Sequence, residues 1–218
     1  MRPMTHLAAY VVVGANRHNP SLINGDFVRT HGIVPEWFEL DSGQPSVTMP
    51  MLAQLSYRDG WRLLVVPERL QVLKGGQADA QDLELMGRVV AAYAEALPSV
   101  PYTAVGTNFA VLVPQEEGAR WLMERYLRRD IDVDGPVGIA LMLRYNLDGG
   151  HLTLSLTEVA GTEAGAVSAI RVDANFHREC SIPDKVAAVA ANAALAGDDK
   201  ARFEALLRKL LPPEEDQR

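Results

Sequence analysis

The chain has 218 residues, 48% of them hydrophobic and 22% charged, which is ordinary globular usage and fits neither disorder nor a fibre. A net charge of -7, from 21 basic and 28 acidic side chains, opposes the counterion release behind most nucleic-acid binding, so no nucleic-acid partner is expected. The single cysteine, Cys180, excludes an intramolecular disulfide and any cysteine-based zinc set, and a reducing cytoplasm suits it best.

The first apolar run, Leu7 to Gly14, is β-branched and is expected to be a strand covered on both faces. It has the size of a signal-peptide core but lacks an A-x-A-like cleavage site. Nowhere do ~18 apolar residues run unbroken, so no spanning helix and no membrane partner is expected. From Ala15 to Pro45 periodicity fails among Asn, Gly and Pro. A long packed connection with a short strand or helical turn is expected there.

A hairpin follows: Leu52 to Tyr57, then Arg58-Asp59-Gly60, then Trp61 to Val66, with Asp-Gly tolerating the positive φ of a primed turn. Leu70 to Leu73 extends it to a meander ended by Gly75-Gly76. Leu83, Met86, Val90, Tyr93 and Leu97 then recur at steps of three and four, which predicts a helix from Asp79 to Pro98. Tyr102 to Val113 returns to strand chemistry. Pro114 and the acids after it open a second helix, to about Arg129.

Strands are expected at Val137 to Asn146, His151 to Glu158 and Ala166 to Arg178. Ser181-x-x-Asp184 resembles a capping box opening an alanine-rich helix that Gly197 closes. A last amphipathic helix carries Phe203, Leu206, Leu207 and Leu210 up to Pro212-Pro213. The order predicts an α+β fold with a mainly antiparallel twisted sheet and helices on one face. It is compatible with two duplicated βββα halves, roughly 47–97 and 137–196, an idea supported by the echo of Thr107-Asn108-Phe109 in Ala174-Asn175-Phe176. We expect one compact domain over 1–211 and a frayed acidic tail over 212–218.

Phosphate-loop, dinucleotide, zincin and nucleophile-elbow motifs are all absent from the sequence, and no cofactor is expected. Asp130, Asp132 and Asp134, with Gly135 and Val137, match a calcium loop until Leu141 stands where a bidentate glutamate belongs. They read first as the solvated side of a connection and second as a weak cation site. On the last strand, Ile170, Val172, Ala174 and Phe176 point one way and Arg171, Asp173, Asn175 and His177 the other. Arg144 and Asn146, Gln54 and Ser56, and Thr153, Ser155 and Thr157 repeat that alternation, predicting a broad polar sheet face.

These features favour a non-catalytic binding or assembly protein, acting through the polar face or through the last helix, which leaves room for a homo-oligomer or protein partner. The alternative is an enzyme or small-molecule binder at His177, Asp173 and Arg171. Cys180 lies close enough in sequence to His177 to suggest a thiolate pair, although Asp173 and His177 are about 13 Å apart along a strand.

Overall fold

The computed structural model describes residues 4–115, 117–126, 139–159 and 168–211. Nine strands of the described residues form one antiparallel sheet: β1 (Thr5–Ala15), β2 (Val47–Met49), β3 (Leu52–Ser56), β4 (Trp61–Val66), β5 (Arg69–Gly75), β6 (Tyr102–Pro114), β7 (Ala140–Leu147), β8 (Gly150–Val159) and β9 (Ala169–Glu179). Their order across the sheet is β2-β3-β4-β5-β1-β6-β9-β8-β7. Among the described residues five α-helices accompany them: α1 (Gly25–Thr30), α2 (Ala80–Ala96), α3 (Gly118–Tyr126), α4 (Lys185–Ala193) and α5 (Ala196–Leu210). The α+β class with a mainly antiparallel sheet is as the sequence predicts.

Alternation decides which face is covered. Val11 and Val13 of β1, Leu63 and Val65 of β4, Leu70 and Val72 of β5, Val111 and Val113 of β6, and Ile170, Val172 and Phe176 of β9 are buried together beneath the helices. Their counterparts one residue along face the other way. The helical layer is built locally. Asp79 and Asp82 satisfy each other's backbone N–H groups at 2.8 and 3.0 Å in a capping box. Leu83, Met86, Val90 and Tyr93 of α2 lie fully inside, each worth roughly 1.5–3 kcal/mol of burial. A Cβ on Gly87 would stand 3.1 Å from the Ala193 carbonyl oxygen, so glycine lets α2 and α4 approach closely. Phe203 of α5 stacks on Phe109 of β6 with centroids 5.5 Å apart.

The Ala15–Pro45 connection is packed and holds short helical turns, as expected, at Pro20–Leu22 and α1, and the edge strand β2 follows it. Other expectations are corrected. Pro114 ends β6 instead of opening a helix; α3 starts only at Gly118. Asp184 itself caps α4, its side chain accepting from the Ala187 N–H at 2.9 Å. Gly197 does not close that helix. The chain turns at Ala194–Leu195, and Gly197 lies in the first turn of α5 beside Asp198 and Asp199, whose charges favour a helix N-terminus. β1 is covered on one face only: Ala8, Tyr10, Val12 and Gly14 are half-buried on the open side.

The strand order repeats in kind about the β1–β6 ladder. On each side a first strand pairs with the last strand of a meander, and a helix follows. The sequence echo does not mark that repeat. Asn108 and Asn175 are direct partners on neighbouring strands β6 and β9, so the echo reflects cross-strand pairing, and duplication itself is not established.

Candidate functional site: a polar cup on the open sheet face

The open face is rough because its residues differ in size across neighbouring strands. One row crosses Gln71, Val12, Gly106, His177 and His151; the next crosses Leu73, Tyr10, Asn108, Asn175 and Thr153. Glycine at 106 and at 14, with Ala104 beside them, leaves a depression where the larger side chains form walls. The register between β1 and β6 slips at Gly14 and Ala15, which face Ala104 and Tyr102. This bulge leaves Thr103 unpaired there and widens the depression, as bulges do by bending a strand. The result is a cavity of about 490 Å³ lined by Tyr10, Arg69, Gln71, Asn108, Asn175 and His177, with Glu68 and Thr103 at its rim.

The walls are held from behind. Asn108, only 6% exposed, donates to the Gly106 carbonyl at 3.2 Å and accepts from the Asn175 amide at 2.5 Å. This fixes the donor and acceptor ends of both amides. The Gln71 amide, the Asn175 carbonyl oxygen, the Tyr10 hydroxyl and the Arg69 guanidinium have no hydrogen-bond partner among the described residues. Burial, and after it the nearby Asp173 carboxylate, push the Tyr10 phenol above its ordinary pKa, so it remains a neutral hydroxyl. A Cβ on Gly150 would fall 1.9 Å from the His177 carbonyl oxygen. Glycine there lets β8 press against β9 where His177 stands.

The structure divides the sequence candidates into three groups. Asn175 and His177 enter the cup. Arg171 and Asp173 lie farther along β9 and bind each other in a fork, with both N–O distances 2.8 Å. Arg144 lies exposed on β7, opposite Thr153 of β8, beyond the cup. Asp130, Asp132 and Asp134 lie outside the described residues. Ser56 departs from the expected solvated row. It is 1% exposed, because the segment before β2 folds over it: the Asp41 N–H donates to its carbonyl at 2.9 Å.

His151 and His177 are direct partners with ring centroids 4.9 Å apart. Slight burial, then Arg144 and His177, lower the pKa of His151. No group of three or more His, Cys, Asp or Glu side chains converges among the described residues. Cys180 is buried, and burial raises its thiol pKa, the reverse of an activated thiolate. The apolar stripe of α5 is spent internally, with Phe203 and Leu207 each 2% exposed.

Sequence reading missed Tyr10, Arg69, Gln71 and Asn108. The alternation of Ala104, Gly106, Asn108 and Ala110 against Val105, Phe109 and Val111 could have found Asn108. Tyr10 was hidden by a run that looked apolar on both sides. No helix among the described residues is long and apolar enough to cross a membrane. No family model, curated protein or solved structure matches the chain.

Proposed function

We propose that this is a cytoplasmic, non-catalytic binding protein that holds a small polar ligand in the cup on its open sheet face. The observation that carries the reading is the cavity itself: about 490 Å³, within the range of small-molecule sites, with convergent polar groups over a pre-formed floor. Binding needs no activated group. The enzymatic alternative loses its partners, since Asp173 is engaged by Arg171 and Cys180 is buried. Assembly through the last helix would require pulling Phe203 off Phe109.

The test is a fragment screen read by amide chemical shifts. Hits should cluster on Tyr10, Asn108, Asn175 and His177 and vanish in Gly106→Leu, whose side chain fills the floor. Hits that ignore the cup, or that survive in that variant, would overturn the proposal.

A further inference from the structure

Resting on that reading of the cup, we infer that its ligand is a neutral, hydroxyl-rich molecule of the saccharide class. The wall chemistry is the first reason. Gln71 presents an amide, Asn175 a carbonyl oxygen, and Tyr10 and Thr103 hydroxyls; of the unpaired groups on the walls only the Arg69 guanidinium is charged. A sugar hydroxyl, one donor with two acceptor lone pairs, matches such a wall. A phosphate or carboxylate, which only accepts, would gain the Arg69 guanidinium but would also face the Asn175 carbonyl oxygen and the Glu68 carboxylate.

Charge is the second reason. Glu68 and Arg69 line the cup with opposite charges, Arg171 and Asp173 neutralise each other, and Glu179, across from Ala104, adds a single carboxylate at the edge. No cluster of one sign faces the cup. Helix N-termini, the usual backbone anion sites, belong to the opposite layer, because the helices cover the other face of the sheet. The floor is the third reason. Val12 follows Tyr10 on the same face of β1 and Ala104 faces Gly14 farther along the cup, giving the C–H faces of a sugar ring apolar surface between the polar walls. The cavity volume admits a disaccharide.

Titration calorimetry on the full chain tests this with three panels: glucose, galactose, maltose and cellobiose; glucose phosphate and glucuronate; and free glutamine and arginine. At least one neutral sugar should bind, with heat nearly independent of salt. Gln71→Ala, an exchange at a half-buried side chain with no hydrogen bond to lose, should weaken that sugar about tenfold, the worth of one or two hydrogen bonds. Gly106→Leu should abolish binding while circular dichroism remains native. If a charged probe binds in a manner sensitive to Gly106→Leu and no sugar does, the class assignment fails and the cup stands. If the sugars bind but ignore both variants, or if no panel member binds, the inference is overturned.

Discussion

Arg178 and Asp199 make the sharpest energetic prediction. The guanidinium donates to the two carboxylate oxygens at 2.7 and 2.6 Å, and the side chains are 11% and 2% exposed. The pair ties β9 to the first turn of α5. Removing only Asp199, as Asp199→Ala, strands a guanidinium in a nearly closed site and should cost about 3–5 kcal/mol. That is a large part of the roughly 5–15 kcal/mol by which domains are stable. Replacing both, as Arg178→Met with Asp199→Leu, removes the charges and their desolvation together. The double variant should lie within about 1 kcal/mol of the parent or above it. Urea unfolding followed by circular dichroism at constant slope, applied also to Arg178→Met and Asp199→Leu singly, closes the cycle and gives the coupling. Additive losses, with the double variant weaker than either single one, would refute the argument.

Thr107 is 1% exposed, its hydroxyl has no partner, and its neighbours across the ladders are Val11 and Phe176. Thr107→Val should therefore stabilise by about 1–2 kcal/mol, raising Tm by roughly 2–8 °C; a lower Tm would mean the hydroxyl is bonded. His18 is buried between the Tyr93 hydroxyl at 3.0 Å and the Val13 carbonyl at 3.2 Å, and burial lowers its pKa below the ordinary 6.5. The unfolded state then holds more protons below 6.5, so this contribution is complete above that pH and drains away as pH falls toward the folded pKa. His18→Gln should flatten the stability profile below pH 6.5, and an unchanged slope would count against it. Cys180 should resist a thiol reagent in the native state and react once unfolded; rapid native labelling would contradict its burial.

Much of the fold could be read from the chain because each decisive signal was local. The Asp59-Gly60 turn, with φ of 57° and 78°, and the Asp79 cap with its period-four stripe depend on residues within a few positions of each other. The alternation of β9 was equally plain, and Asn175 and His177 followed from it. The cup was not, because its walls come from β1, β5, β6 and β9, whose adjacency is a property of strand order. Alternation gives the face a residue shares but not its neighbour, so Arg171, Asp173 and Arg144 were grouped with His177 although only Asn175 joins it in the cavity. Ser56 shows the same limit: its strand placed it outward, and a distant segment covers it.

β1 precedes every other described strand along the chain yet occupies the middle of the sheet, with β5 on one flank and β6 on the other. During synthesis β1 can zip to β5 early, yet its second flank stays bare until the chain through Pro114 has emerged from the ribosome. A nascent fragment ending before β6 therefore carries an open, valine-rich edge, the kind of surface that recruits other chains. Fragments truncated before Tyr102 should aggregate in a way the whole chain does not, a difference that light scattering would register, and holding chaperones should matter most in that interval of translation.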